Sequence, residues 1–205
     1  MNSAVGWVLL VLGLATVVVR RRSVALTLVT AQSLLLAAAA LVHAPGRSAP
    51  FLAAALALLA KAAVIGFGLG WSLRRTREAR PIAERYAAPT RGLLAAGCAI
   101  LAVAVLPVPT VGNLAVERGA VALVVIGLAT VVVRRATLFQ ALGLLVAENG
   151  VAFAATGLAH GIPTVIDLGV LFDLFVVIAT AIAFHEQIFR VFGTGDTRLL
   201  GELRD

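Results

Sequence analysis

The sequence predicts an all-α polytopic membrane protein with seven transmembrane helices, and three observations carry that prediction. The 205-residue chain is 61% hydrophobic and only 13% charged, with a mean hydropathy of +1.04, whereas a soluble domain is about half apolar and a quarter charged. Seven apolar stretches, roughly 4–20, 24–43, 50–73, 92–108, 116–133, 137–159 and 163–187, are close to the ~20 residues that a membrane helix requires. The arginines between them alternate by side. Helices are chosen over strands because an open strand would leave backbone groups unpaired in lipid.

With seven spans, one side collects Arg20, Arg21, Arg22, Arg74, Arg75, Arg77, Arg80, Arg85, Arg91, Arg134, Arg135, Arg190, Arg198 and Arg204. The other side holds Arg47 and Arg118. This bias places the N-terminus outside and the C-terminus in the cytoplasm, with the chain as a multi-pass protein of the cytoplasmic (inner) membrane. The net charge of +7 is therefore an orientation signal toward a lipid bilayer, and no nucleic-acid partner is expected.

Helix 1 reads as an anchor and not as a cleaved leader, because its arginines follow the apolar run instead of preceding it. Its end, GLATVVVRR at 13–21, recurs letter for letter at 127–135. The flanks extend the match. LVTAQSLLLAAAALVHA (28–44) aligns with LLVAENGVAFAATGLAHG (144–161), which sets Gln32 opposite Glu148 and Ser33 opposite Asn149. LLAKAAVIGF (58–67) aligns with VLFDLFVVIA (170–179), which sets Lys61 opposite Asp173. Helices 1–3 and 5–7 thus form two three-helix repeats, and helix 4 between them keeps both in the same orientation. The repeats are parallel, related by an axis along the membrane normal.

The resulting organisation is a first repeat at 1–73, a basic cytoplasmic loop with the linking helix 4 at 74–110, a second repeat at 111–190, and a cytoplasmic tail at 191–205. Pro81 and Pro89 break any continuous helix through the loop RRTREARPIAERYAAPT. GFGLG at 66–70 lies inside helix 3 with no strand before it, so a phosphate loop is excluded and close helix packing is the expected reason for it. Cys98, the single cysteine, reads as small packing material; it can neither close an internal disulfide nor hold a cluster. Three histidines spaced far apart give no zinc site. No cofactor or metal is expected on this chain.

Three charges fall near the centres of apolar helices: Lys61, Glu148 and Asp173. Each costs on the order of 2.5–3.5 kcal/mol at the bilayer midplane even on a lenient scale, so they must face the bundle interior, water or one another. Two readings follow. In one, Glu148 and Asp173 exchange protons while Lys61 biases them; in the other, a Lys–Asp or Lys–Glu pair simply locks helix 3 to helices 6 and 7. Asn149 is expected to bond between helices. Gln32, Asp167, His160 and Asn149 itself are the accessory candidates for the proton-exchange reading. Asp167 stands near the start of helix 7, where the dipole favours it. His43 and His160 close helices 2 and 6 at the outer interface, and His185 with Glu186 marks the cytoplasmic end of helix 7.

AENGVAF, GIPTVIDLGVLFDLFV and FGTGDTRLLGELRD carry a resemblance to the hydrogenase-4 component E family, a membrane subunit of group 4 [NiFe]-hydrogenases and related complexes. The second half is also similar to the three-helix subunit K of bacterial complex I and to its counterpart in Mrp-type cation/proton antiporters. The resemblance implies intramembrane carboxylates at Glu148 and Asp173 and a non-catalytic role beside antiporter-like proton-pumping subunits. It also implies a quinone-site-anchor-like membrane subunit and cytoplasmic hydrogenase-like and iron–sulfur subunits, with any NiFe and iron–sulfur centres on those partners. The first repeat departs from the pattern, with Gln32 and Lys61 where the second has acids.

The rival readings are a subunit of a Mrp-type cation/proton antiporter, or a stand-alone transporter with the three-plus-one-plus-three arrangement of SWEET-type carriers. Those resemble repeats with Pro-Gln motifs, and none of the seven prolines here precedes Gln. A purely structural spacer with buried salt bridges is the third possibility.

Overall fold

Apolar runs without interior prolines become helices wherever the structure is described. The computed structural model describes residues 3–42, 49–75, 84, 86–106, 113–157, 179 and 182–193. Helix α1 spans Ser3–Val18 and α2 spans Arg22–Val42. Helix α3 runs as Ala49–Val64, passes through a π-helical segment Ile65–Leu69, and ends as Gly70–Arg75. Then come α4 (Ala88–Val105), α5 (Leu114–Val133) and α6 (Thr137–Gly157), and a helical stretch α7 over 182–192. Among the described residues there is no strand.

Among the described residues, four helices are long and apolar enough to cross a membrane: Arg22–Val42, Ala88–Val105, Leu114–Val133 and the Thr137–Ala155 portion of α6. The surface agrees with that setting. Val132, Phe67, Val42 and Leu93 are each at least 75% exposed, an arrangement that water would penalise and hydrocarbon does not.

The starts of the helices follow local chemistry. Asn113 caps α5 by accepting from the Ala115 backbone N–H at 3.0 Å, and Glu117 sits in its first turn where the dipole favours an acid. Pro89 stands at the first positions of α4, where a missing N–H costs nothing. It therefore opens a helix that begins at Ala88, earlier than the apolar run at 92 predicts.

Helices α1 and α2 pack on each other and on α5 and α6: α1 against α5, α2 against α6, α5 against α6. α3 lies on α2, and α4 lies against α1 and α5. The tightest approach is α5 to α6. A Cβ on Gly127 would stand 2.4 Å from the Ala147 backbone nitrogen, and one on Gly143 would stand 2.8 Å from the Gly127 carbonyl oxygen. Thr16 and Thr130 occupy the same place in the two nonapeptides. Each hydroxyl donates to the carbonyl four residues back, Leu12 at 2.9 Å and Ile126 at 2.8 Å.

Two expectations are corrected. Close packing is not what requires glycine at positions 66 and 70 of GFGLG, where a Cβ would meet side chains only at 3.9 and 3.7 Å, ordinary contact distances. The segment carries a π turn, Ile65–Leu69. Cys98 is exposed on α4, because the buried face of that helix is set by Arg91, Gly92, Ala95 and Ala99; it is not interior packing.

Candidate functional site: a buried polar layer across α1, α2, α3 and α6

Two polar clusters stand out among the described buried residues. The first lies at mid-helix. Glu148 is eleven residues into α6, or ~16 Å along its axis at 1.5 Å per residue. Lys61 Nζ stands 3.2 Å from Glu148 Oε2, with the lysine 4% and the glutamate 20% exposed. The pair joins α3 to α6 across the bundle.

The next residue extends the layer. Asn149 Nδ2 donates to Gln32 Oε1 at 3.0 Å, and its Oδ1 accepts from Ser33 Oγ at 3.2 Å. Gln32 Nε2 in turn donates to the Leu9 carbonyl at 2.8 Å. Gln32, Ser33 and Asn149 are fully buried, so each needs such bonds to offset its desolvation. Gly13 makes room for the amide, since a Cβ there would lie 3.4 Å from Gln32 Nε2 and 2.8 Å from Leu123 Cδ1. Ser33 and Asn149, opposite one another in the alignment of the two halves, are thus in direct contact.

A lone charge in such surroundings is costly, while contact between opposite charges favours both together. The proton content of the Lys61–Glu148 pair therefore depends on how far apart the two groups stand. Among the described residues no group of His, Cys, Asp and Glu is arranged to hold a metal ion.

The second cluster lies at the arginine-bearing end of α1. The last carbonyls of a helix lack intrahelical donors. Here Arg134 Nη1 donates to Val17 O at 3.3 Å and Val19 O at 3.0 Å, and Arg91 Nη2 donates to Val18 O at 3.2 Å. Glu84 Oε1 bridges the two guanidinium groups, 3.1 Å from Arg134 Nε and 3.2 Å from Arg91 Nη1, and offsets one of their two charges. Arg134 also lies 3.3 Å above the Phe139 ring, and its own carbonyl accepts from Gln140 Nε2 at 3.1 Å. Burial lowers the Arg134 pKa to about 10, against the opposing pull of Glu84; the group stays charged at neutral pH.

The clamp was invisible in sequence. Arg91 and Arg134, each 1% exposed, read there only as orientation charges, while Arg20, the counterpart of Arg134 in the first nonapeptide, is exposed. The basic loop holds two acids, Glu78 and Glu84, and nothing in the sequence marks Glu84 as the one that meets these arginines. His185 is 3% exposed, held with its Nδ1 2.7 Å from Thr137 Oγ1, a packing contact between α7 and the start of α6 that the sequence did not show.

Of the residues singled out in the sequence, the structure brings together Lys61, Glu148, Asn149 and Gln32. Asp173, Asp167, His160 and His43 lie outside the described residues.

The chain is 33% identical, over 164 residues, to the uncharacterized protein Rv0085 of Mycobacterium tuberculosis, a match covering 75% of this chain and 73% of that one. The chain belongs to that protein's family. No family model and no solved structure matches it. Membership in the Rv0085 family brings no activity with it.

Proposed function

We propose that the protein is a non-catalytic subunit in the membrane arm of a complex I-like or group 4 hydrogenase-like redox assembly. Its part is a section of a lateral proton path through Glu148, Asp173 and Lys61. The observation that supports this most is the Lys61–Glu148 pair at 3.2 Å at mid-helix, with Lys61 buried and Glu148 partly buried, beside the Asn149–Gln32 bond made by the neighbouring residue. Ionisable groups at that depth are expensive and are retained for ion or proton transfer. Rearrangement in a partner protein that separates Lys61 from Glu148 changes the proton affinity of the carboxylate, and recombination reverses it. Asn149, Gln32 and Ser33 hold α2 and α6 at one height so that the change is not absorbed by helix sliding.

In this reading seven spans cross the membrane with the N-terminus outside, and the halves are related by rotation about the membrane normal. The pairing of α1 with α5 and α2 with α6, with Ser33 meeting Asn149 at one level, supports that relation. The resemblance to hydrogenase-4 component E supplies the partner class. Solubilising native membranes in mild detergent and isolating the chain tests it: subunits bearing iron–sulfur clusters should copurify. Recovery of the chain alone as a homo-oligomer would favour the stand-alone transporter.

A further inference from the structure

A second feature is separate from the polar layer. Helices α1, α4 and α5 enclose a groove of about 830 Å³. Its walls are apolar, from Trp7 and Leu14 on α1, Ile100 on α4 and Ile126 on α5, and Phe153 reaches it from α6. The Phe153 ring stands where Cβ atoms on Gly6 and Gly119 would come within 3.1 and 3.0 Å, so two glycines admit it as the back wall. Polar groups gather at one end only, where Asn113 and Arg118 line the mouth.

The dimensions restrict the occupant. From Asn113 to Ile126 is thirteen residues of helix, about 20 Å, which matches one leaflet: about 15 Å of hydrocarbon plus a headgroup. The three helices touch one another pairwise, so the slot between them is narrower than the ~10–12 Å diameter of a further helix. An extended acyl chain fits. Arg118 is exposed at the level of the headgroup, and a guanidinium forms paired hydrogen bonds with a phosphate. Glu117, the neighbouring acid, is not part of the lining.

We propose that this groove holds an anionic phospholipid of the leaflet at the Asn113 end, with one acyl chain along α1, α4 and α5 and its phosphate on Arg118. The site does not depend on the proton path or on which leaflet faces the cytoplasm.

Trp7, 69% exposed at the groove, is a built-in reporter, and Trp71→Phe makes it the sole tryptophan of the two present. The full chain would be reconstituted into phosphatidylcholine vesicles carrying a minor fraction of either bromine-tailed phosphatidylglycerol or bromine-tailed phosphatidylcholine. The brominated anionic lipid should quench Trp7 as though enriched about fivefold, the factor equivalent to the ~1 kcal/mol typical of one basic residue at an anionic lipid. Arg118→Gln should abolish that preference, and Ala96→Phe, filling the deep end, should reduce quenching by both lipids. Equal quenching by the two lipids, a preference that survives Arg118→Gln, or quenching indifferent to Ala96→Phe would overturn the proposal.

Discussion

Removing one member of the Lys61–Glu148 pair is the perturbation whose magnitude the structure fixes best. Breaking a buried ion pair costs about 3–5 kcal/mol, because the surviving charge is left uncompensated. Glu148→Gln strands Lys61, the more buried member at 4% exposure, and should cost about 3 kcal/mol. Lys61→Met strands Glu148, which keeps 20% exposure and hence some hydration, so about 2 kcal/mol is expected. The double variant leaves no charge behind. Methionine matches the aliphatic stem of lysine, and replacing both charges of a buried pair is often neutral or stabilising. Melting of the detergent-solubilised protein reads this out. For a chain of this size ~1 kcal/mol moves Tm by roughly 2–4 °C. Glu148→Gln should therefore lower Tm by about 6–12 °C, and adding Lys61→Met should recover most of the loss. If the two losses add instead, the charges are not coupled and the geometry of the site is wrong.

Other outcomes follow from the same structure. Arg134→Gln removes both bonds to the end of α1 and should destabilise by about 2–3 kcal/mol, while Arg20→Gln, at the same letter of the same nonapeptide but exposed, should stay within about 0.5 kcal/mol in the same melting assay. Gly127→Ala places a Cβ 2.4 Å from the Ala147 backbone nitrogen and should lower the yield of folded protein sharply, whereas Gly97→Ala, with nothing within 4 Å, should be neutral or gain up to about 1 kcal/mol from helix propensity. Asn149→Leu deprives Gln32 Oε1 of its donor and Ser33 Oγ of its acceptor and should cost about 1–3 kcal/mol, measured by chemical denaturation in detergent.

Much of the helical architecture was legible because hydrocarbon-length apolar runs have few alternative structures. Mid-helix charges were legible for the same reason: Lys61 and Glu148 stood out against alanines, valines and leucines, and only each other or water could compensate them. The alignment of the halves also set Gln32 and Ser33 against Glu148 and Asn149, and three of those four residues share one hydrogen-bond chain. What escaped was decided by tertiary surroundings. Arg20 and Arg134 lie in identical nonapeptides, so nothing local could tell an exposed arginine from one that caps a neighbouring helix. The same holds for His185, whose burial depends on Thr137, 48 residues away. The π segment at Ile65–Leu69 escaped because hydropathy does not register helical winding.

Stability alone does not separate a proton relay from a structural lock, but the double variant does. The decisive measurement is coupled proton transport into vesicles containing the intact assembly, with Lys61→Met and Glu148→Gln introduced together. If the pair relays protons, the complex remains assembled and stable but its proton transport is lost, since no carboxylate remains on α6 to carry the proton. Transport at the unmodified rate would contradict the relay and leave the pair as a fastening between two helices.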